Sequence, residues 1–445
     1  MLIESALAHY YPQVQEALRE LSGSHGPDEF APGAELPELT PAVREYLSAS
    51  ELRHTRMGEY RGKKLTLLDL TRNPGTMTTK TFASLTIVAR AVRYIQRTGE
   101  RVTIVTPSSA NKAVAMRDAV LRAINTGLVS ADQLNVVVVV PAASVHKIRS
   151  SELLTDSHLA RRNPIAVYRG EVAGDVKSIA RRMMDNDGRA LERDAKTNIW
   201  YTLQLENYLA ADVVRSLAES EFFAPADDEP RLHVHSVSSA YGLLGHAYGR
   251  ERFGGAGLPS RYFLVQHLGA PDMVISLYHD GDFDEGHRPD YSYEEESGRY
   301  VQHADPHFPA VTFDPRETLD PTFYTRNPVT SPRMNSLINS QGGGGVVVSL
   351  AECLERYGLV RSLLGAAGVR VPTNPTAVRE WSLIMAVTGL LNGIDRGLVP
   401  ENDIVVHGSG CYSVGDFDGV TLRDMHEVRA DDDSLTNVVL SATAI

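Results

Sequence analysis

The most constraining feature of this chain is a series of short, unbroken apolar runs that alternate with segments of helical periodicity. Such runs are typical of strands buried on both faces of a parallel sheet. They occur at 102–105, 135–140, 165–168, 232–237, 263–266, 346–348 and 403–406. Segments with apolar residues at i, i+3 and i+4 spacing, typical of helices, lie at 80–98, 112–126, 174–186, 201–222, 242–252, 349–364 and 376–397. The alternation predicts an α/β fold with two open, mostly parallel sheets and flanking helices.

The length of 445 residues is enough for two or three domains of ordinary size. Residues 1–66 are poorly periodic and rich in Pro, Gly and acidic residues, so we predict an N-terminal arm there. We predict a large α/β domain formed by residues 67–100 and 205–445, and a smaller α/β domain formed by residues 101–204.

The composition excludes several classes of protein. Hydrophobic residues make up 42% and charged residues 22%, which are ordinary globular values. We find neither a membrane-length apolar run nor a secretory signal, and therefore expect a cytoplasmic protein. The 44 basic and 56 acidic residues give a net charge of -12, which disfavours nucleic acid and anionic lipid as partners. Two cysteines, Cys353 and Cys411, are too few for a thiolate metal cluster, and we predict no metal site.

Three loops stand out because each precedes a predicted helix at the end of a predicted strand, where ligands bind in α/β sheets. In the first loop, residues 71–85, Asn73, Pro74 and Gly75 read as a turn and Lys80 opens the helix. A buried lysine there would have a lowered pKa, which favours the neutral amine that Schiff-base chemistry requires. The alternative is a surface lysine on the first helical turn.

The other two loops are rich in small residues. In residues 102–120, small side chains let the backbone approach a ligand and an asparagine can hydrogen-bond to it; the loop is Ser108, Ser109, Ala110 and Asn111. In residues 231–249, small residues feeding a helix N-terminus form an anion site; the loop is Ser238, Ser239, Ala240, Tyr241 and Gly242. Helix capping by serine and asparagine explains either loop equally well.

Taken together and in this order, the loops resemble those of the fold type II pyridoxal-phosphate (PLP) enzymes, specifically the threonine-synthase branch, whose architecture is like that of the tryptophan synthase β-subunit. The resemblance runs from about Leu65 to Asp416. Lys80 matches the lysine that holds the cofactor as an imine, and residues 109–113 match the loop that faces the cofactor ring. Three further stretches match in order, namely PAASVHKIR at 141–149, VTSPRMN at 329–335 and the segment 374–410 that ends in His-Gly-Ser-Gly.

The resemblance implies which residues form the site, and it makes the large domain the cofactor-binding one. The implied cofactor-binding residues are Lys80, Asn111, Ser238, Ser239, Ala240, Tyr241, Gly242, His407 and Ser409. The implied substrate-binding residues are Thr79, Ser108, Ser109 and Lys112. Spacing selects His407 to face the pyridine nitrogen, whereas chemistry prefers the hydroxyl of Ser409, so both stay open.

Departures from the family pattern fall at the site. The phosphate loop lacks its first Gly and its Asn, and Lys112 replaces a threonine. A cation at position 112 suggests a bulkier or more anionic substrate. The resemblance therefore implies a PLP-dependent β- or γ-elimination or replacement on an amino acid, with a changed substrate suited to specialised metabolism, in a homodimer. The alternatives are a non-catalytic ligand-binding protein on the same scaffold and a genuine threonine synthase.

Three other features are candidates for separate roles. Asp280, Asp282 and Asp284, in the poorly periodic stretch 279–325, match the first ligands of a calcium loop. Position six is not Gly and position twelve is not Glu, so we predict a solvated acidic loop instead. The glycines 342–345 precede a strand rather than a helix, which predicts a flexible loop that could serve as a lid. His233 and His235 are predicted to be buried, hydrogen-bonded histidines.

Overall fold

The computed structural model of the chain describes residues 1–23, 30–226, 229–254 and 257–444. The chain forms two compact units. Unit 1 consists of Met1–Leu2, Leu52–Thr71 and Arg215–Asp416, and unit 2 consists of Ile3–Glu51, Arg72–Val214 and Phe417–Ile445.

The described residues form helices throughout both units. In chain order they are α1 Ala6–His9, α2 Tyr11–Leu21, α3 Pro41–Leu47, α4 Lys80–Thr98, α5 Asn111–Asn125, α6 Glu152–Thr155, α7 Ser157–Arg162, α8 Asp175–Ala195, α9 Leu205–Phe222, α10 Tyr241–Phe253, α11 Asp272–Tyr278, α12 Ser331–Gln341, α13 Leu350–Glu355, α14 Tyr357–Ala366, α15 Ser382–Asp395 and α16 Ser434–Thr443.

The strands fall into two large and two small sheets. In chain order they are β1 Leu2–Ile3, β2 Leu52–Tyr60, β3 Lys63–Asp69, β4 Val102–Pro107, β5 Leu134–Pro141, β6 Ile165–Tyr168, β7 Asn198–Tyr201, β8 Arg231–Ser236, β9 Arg261–His267, β10 Ser292–Glu294, β11 Arg299–Val301, β12 Val311–Thr312, β13 Gly343–Val348, β14 Val378–Glu380, β15 Asp403–His407, β16 Tyr412–Ser413 and β17 His426–Val428.

The large sheet of unit 1 has seven strands in the order β1-β2-β3-β15-β8-β9-β13. The pairs from β3 through β15, β8 and β9 to β13 are parallel, and β2 joins β3 in an antiparallel pair. Helix α15 packs on β8, β9 and β13, and its residues from Ser382 to Ile394 are all buried. Strands β8 and β15 are parallel neighbours. The segments that follow them, 237–242 and 408–410, therefore begin at the same edge of the sheet.

The sheet of unit 2 has five parallel strands in the order β17-β6-β5-β4-β7. Its central strands β4 and β5 are buried along their whole length, as expected for apolar runs covered on both faces. Helices α5 and α8 pack on this sheet, and α4 packs on α5. These two sheets confirm the predicted fold class of open, mostly parallel sheets with flanking helices.

Residues 1–66, predicted as an N-terminal arm, contribute to both units. Helices α1 to α3 lie in unit 2, whereas residues 52–60 form a long strand of the seven-stranded sheet in unit 1. Helix α4, placed by sequence with the large domain, lies in unit 2, and the division between units falls within α9. The bounds of the units thus differ from those of the predicted domains. Among the described residues, no helix is long and apolar enough to cross a membrane.

The stretch 279–325 is more ordered than a long loop, because β10, β11 and β12 form a small antiparallel sheet within it. The candidate calcium ligands bind local partners instead. Asp282 Oδ2 lies 3.0 Å from His287 Nε2, and Asp284 Oδ1 accepts a hydrogen bond from the Gly286 amide at 2.9 Å. Both aspartates are exposed, in agreement with a solvated acidic segment.

The prediction of a flexible tetraglycine loop is wrong, because Gly343, Gly344 and Gly345 pair with β9 as part of β13. Glycine is required at position 343, where φ is +120° and a Cβ would lie 2.0 Å from the Tyr262 carbonyl oxygen. The following helix does begin as predicted, since the Ser349 hydroxyl caps α13 by accepting from the Glu352 amide.

Candidate active site

The predicted site residues fall into two groups, one in each unit. In unit 2, the turn at Asn73 to Thr76 is confirmed by a hydrogen bond from the Thr76 amide to the Asn73 carbonyl at 3.1 Å. Lys80 is the first residue of α4 and is half-buried, with Thr79 as the N-cap residue. The Lys80 amine lies 5.8 Å from the centroid of the Tyr208 ring. The predicted position at a helix start is therefore correct.

Lys112 places a second amine on the same aromatic ring. Its Nζ lies 5.6 Å from the Tyr208 centroid and donates to the carbonyl and hydroxyl oxygens of Thr202, with the hydroxyl at 3.3 Å. The side chain is 7% exposed. Burial, followed by the positive charges of Lys80 and Lys177, holds the pKa of Lys112 well below its ordinary value. The Lys112 amine therefore loses its proton more readily than that of an exposed lysine, whereas the sequence suggested a cation at this position.

The loop before α5 serves partly as a helix cap. The buried Ser108 hydroxyl accepts hydrogen bonds from the amides of Ala110 and Ala113, at 3.1 and 2.9 Å. Ala110 has φ of 131°, a conformation that a residue with a Cβ adopts rarely. Ser109 and Asn111 are half-buried at the end of this loop. The capping alternative accounts for Ser108, and the strained Ala110 sets the course of the backbone into α5.

In unit 1, the corresponding loop leads from β8 into α10, and Ser238 and Ser239 are half-buried in it. The N-cap residue of this 13-residue helix is Ala240, in the left-handed conformation with φ of 50°, and it makes no side-chain cap. Tyr241 and Gly242 form the first turn. A Cβ at Gly242 would lie 3.0 Å from Arg215 Nη2 and 3.3 Å from His235 Nε2. A buried guanidinium therefore lies against the start of α10.

A chain of buried hydrogen bonds runs from Arg215 through His407. Arg215 Nη1 lies 2.9 Å from His407 Nδ1, and His407 Nε2 lies 3.0 Å from His233 Nδ1. Burial and the nearby Arg215 hold the pKa of His407 well below its ordinary value, and burial with His246 does the same for His233. His407 therefore has both ring nitrogens engaged, and the prediction that His233 is a buried, hydrogen-bonded histidine is confirmed. His235 is also buried, with Nδ1 2.6 Å from the Ser236 carbonyl.

Beside His233, but without a hydrogen bond to it, lies the buried carboxylate of Glu219. Its oxygens lie 2.7 Å from His246 Nε2, 2.8 Å from Arg231 Nη1 and 3.5 Å from His233 Nε2. Burial alone would raise the pKa of Glu219, but the neighbouring His233, His246 and Arg231 lower it below its ordinary value. We refer to Arg215, Glu219, Arg231, His233, His246 and His407 as the histidine network.

Glu219, His233 and His246 offer three ligand atoms within 4.8 Å of one another, a spacing that could hold a metal ion. The tautomers oppose this. Because a guanidinium can only donate, His407 Nδ1 accepts from Arg215 and His407 Nε2 carries the proton. That proton is donated to His233 Nδ1, so His233 Nε2 also carries a proton. The ring nitrogens near Glu219 therefore present N–H groups rather than the lone pairs that a metal needs.

Ser409 is also buried in unit 1, and its hydroxyl lies 3.0 Å from the Ser236 hydroxyl. A pair of hydroxyls can donate or accept and carries no charge. Of the two residues left open by the sequence, His407 is held in the histidine network, and Ser409 is the one with an adaptable partner.

Several important residues were missed by the sequence analysis, which assigned no role to Thr202, Tyr208, Arg215, Glu219 or His246. A signal existed for two of them. Arg215 and Glu219 lie four residues apart, on the same side of α9. Both are at most 1% exposed, and charged residues so deeply buried are rare unless paired.

Comparisons with known proteins gave the following matches. The chain is similar to the structure of a PLP-bound threonine synthase from Brucella melitensis, with 13% identity, a TM-score of 0.49, and coverage of 92% of this chain and 74% of that one. It is also similar to a hydrogen sulfide-producing enzyme from Fusobacterium nucleatum, with 11% identity, a TM-score of 0.48, and coverage of 82% and 96%. A fungal L-serine ammonia-lyase from Rhizomucor miehei matches with 15% identity, a TM-score of 0.48, and coverage of 79% and 90%.

A search of curated proteins found no match. A family model does match, over residues 2–443, and its description is "Family of unknown function (DUF6002)". Because the match spans nearly the whole chain, the chain belongs to the DUF6002 family.

Proposed function

We propose that this chain is a PLP-dependent enzyme that acts on an amino-acid substrate by β- or γ-elimination or replacement. The observation that carries the proposal is the Lys80 amine at the start of α4, on a buried tyrosine ring that it shares with Lys112. A lysine whose amine is partly desolvated is activated as a nucleophile towards carbonyl compounds. The ordered matches to the threonine-synthase motifs support the same assignment.

The residues of unit 1 fit the phosphate group of the cofactor. The first turn of α10 offers backbone amides and the positive end of a 13-residue helix. Gly242 leaves the turn without a side chain, and Arg215 brings a buried positive charge to it. We therefore propose that the segment 238–242 holds the phosphate, and that Arg215 adds to its affinity for a dianion.

The remaining contacts follow from the same proposal. Asn111 would hydrogen-bond the hydroxyl of the ring, and the Ser409 hydroxyl would face the pyridine nitrogen and leave it unprotonated. When bound, PLP supplies an electron sink that stabilises negative charge at the substrate Cα. The Lys80 amine, once released, would move the Cα proton.

Substrate recognition is proposed for the residues that line the loops of unit 2. Thr79, Ser109 and Lys112 would contact the substrate carboxylate, and the Ser108 hydroxyl can still donate its proton while it accepts from two amides. We also propose a homodimer, on the resemblance alone.

The test is the absorption spectrum of the purified protein. We expect a yellow protein whose visible band is bleached by hydroxylamine, and whose band is lost in the Lys80→Ala variant. The matched control is Lys64→Ala, at an exposed lysine of β3, which should keep the band. A visible band that survives in Lys80→Ala would contradict the assignment.

The two alternatives give different results in the same preparation. A colourless protein that binds an amino acid without turning it over would indicate a non-catalytic ligand-binding protein. Turnover of phosphohomoserine would indicate a genuine threonine synthase. Spectral shifts on adding a panel of amino acids would identify the substrate class in the proposed case.

A further inference from the structure

We propose that His407 is a positioning residue, which holds the guanidinium of Arg215 in place for a phosphate group at the segment 238–242. The inference rests on the proposed function for the identity of the ligand, a phosphate monoester. It rests on contacts within unit 1 for its evidence. It gives His407 a role at the phosphate, whereas its spacing along the chain selected it to face the pyridine nitrogen.

The guanidinium of Arg215 lies against the first turn of α10. A Cβ at Gly242 would lie 3.0 Å from Arg215 Nη2 and 3.1 Å from Arg215 Cζ, so only a glycine leaves room for this approach. The arginine is fully buried. Backbone amides and a guanidinium therefore meet at one helix start, and both kinds of donor bind phosphate oxygens well.

His407 holds the other arm of the same guanidinium, because Arg215 Nη1 lies 2.9 Å from His407 Nδ1. A guanidinium is a rigid planar fork, so a contact that fixes Nη1 also fixes the direction of Nη2. An arginine side chain has much rotamer freedom to lose. A guanidinium that is held before the ligand arrives binds it more tightly, since less freedom is lost on binding.

The contact with Arg215 requires one tautomer of His407, in which Nδ1 has a lone pair and Nε2 carries the proton. The neighbouring strand supports this tautomer, because His233 Nδ1 lies 3.0 Å from His407 Nε2 and can accept its proton in a hydrogen bond. In this form His407 is neutral. It therefore holds the guanidinium without neutralising its positive charge, as a carboxylate would.

The same two contacts argue against a place for His407 beside the pyridine ring. Both of its ring nitrogens are engaged, one by Arg215 and one by His233. Neither nitrogen is left to face the pyridine nitrogen of a cofactor. The two roles predict different dependence on the phosphate group, and the experiment uses that difference.

The test compares three ligands, namely pyridoxal phosphate, pyridoxal, which lacks the phosphate, and inorganic phosphate. The full-length protein is freed of carbonyl compounds with hydroxylamine, dialysed, and titrated with each ligand by calorimetry. In Arg215→Met we expect roughly a tenfold loss of affinity for the two phosphate-containing ligands, as for a lost hydrogen bond to a charged group. The affinity for pyridoxal should stay unchanged.

His407→Leu should give the same pattern, because the guanidinium loses its acceptor. His407→Asn should recover most of the lost affinity, since an amide oxygen can accept from Arg215. The double variant, which combines Arg215→Met with His407→Leu, should bind pyridoxal phosphate no more weakly than Arg215→Met alone. The matched control is His307→Leu, at a half-buried histidine whose Nδ1 lies 3.2 Å from the Gly345 carbonyl, which should keep all three affinities.

An equal loss for pyridoxal phosphate and pyridoxal in His407→Leu would overturn the inference, because that result is expected of a residue that faces the ring. Additive losses in the double variant would also overturn it. If His407→Leu does not fold, the nitrogen chemical shifts of His407 in the unaltered protein decide the matter, with the signals assigned from their absence in His407→Asn. A proton on Nδ1 would exclude the contact with Arg215.

Failure of this inference is distinct from failure of the proposed function. If inorganic phosphate shows the expected losses but no imine forms at Lys80, the role of His407 stands and the cofactor assignment fails. If the imine forms while His407→Leu leaves the affinity for pyridoxal phosphate unchanged, the cofactor assignment stands and the role of His407 fails.

Discussion

The histidine network of unit 1 and the two lysines of unit 2 are both buried sets of ionisable groups, but they treat charge differently. In the network, the Glu219 carboxylate accepts hydrogen bonds from Arg231 and His246. His407 is hydrogen-bonded to both Arg215 and His233. At Lys112, the charges that act on the amine are those of Lys80 and Lys177, both positive.

This difference in charge balance indicates a structural role for the histidine network and a chemical role for the lysines. A buried charge that is paired and hydrogen-bonded holds its neighbours in a fixed geometry. Removing one partner of such a pair strongly lowers the free energy of unfolding. Buried groups with perturbed pKa values and unbalanced charge are more typical of functional sites. We therefore interpret the histidine network as a rigid support for Arg215, and the lysines as the reactive centre.

The largest expected effect is that of removing the carboxylate on which the network ends. Glu219→Ala would leave Arg231 and His246 buried without their shared acceptor, and should lower the free energy of unfolding by about 3–5 kcal/mol. Urea denaturation measures this change. The control is Glu355→Ala, whose carboxylate pairs with Arg299 at the surface and should cost only about 0–1 kcal/mol. Equal losses in the two variants would contradict the role of the network.

A smaller effect is expected from pH. The pKa values of His233 and His407 are lowered in the folded protein, so the unfolded chain takes up protons that the folded one does not. The stability that they contribute is present above their unfolded pKa of about 6.5 and is lost as pH falls below it. We expect a loss of about 2 kcal/mol between pH 7 and pH 5.5.

The comparison variant for this pH effect is His233→Asn, in which the slope of stability against pH should become shallower. Some slope should remain, because burial also lowers the pKa of His54, to about 4. Substitution of the exposed His158 should leave the slope unchanged. A slope in His233→Asn as steep as in the wild type would argue against a neutral, buried His233.

The smallest expected effect concerns the contact between the network and the start of α10. Gly242→Ala places a Cβ 3.0 Å from Arg215 Nη2, and should weaken binding of pyridoxal phosphate by about tenfold, or roughly 1.4 kcal/mol. Titration of the cofactor measures the affinity. Gly365→Ala, in α14 with open space around it, should leave binding unchanged. An unchanged affinity for pyridoxal phosphate in Gly242→Ala would contradict the proposal that Arg215 contributes to the phosphate site.

The parts of the fold that the sequence could predict are those where burial dominates the pattern. Strands β4 and β5 are continuous apolar runs, buried throughout, and were found almost to the residue. Strand β2 was missed because it is largely polar and because a register shift between Arg56 and Gly58 interrupts its pairing with β3. The glycines of β13 were predicted as a loop because a run of glycines is typical of one. The reason for glycine at position 343 is the close approach of the Tyr262 backbone, which the sequence does not show.

The sequence could predict which element carries a site residue. It could not predict which residues, distant along the chain, come into contact with that residue. Lys80 could be placed at a helix start from its own sequence. The partners of Lys112 could not be found in this way, because Thr202 and Tyr208 lie about ninety residues further along the chain. Charged residues in helices such as α9 are usually exposed, so Arg215 and Glu219 gave too weak a signal to be picked out.

The central claim, that Lys80 carries the cofactor, is tested most directly by reduction of the purified protein with borohydride followed by tryptic peptide mapping. We predict one pyridoxyl-phosphate group per chain on a peptide spanning residues 73–90, with cleavage blocked at Lys80. An adduct on another lysine, or an unmodified Lys80 in a protein reconstituted with pyridoxal phosphate, would contradict the claim.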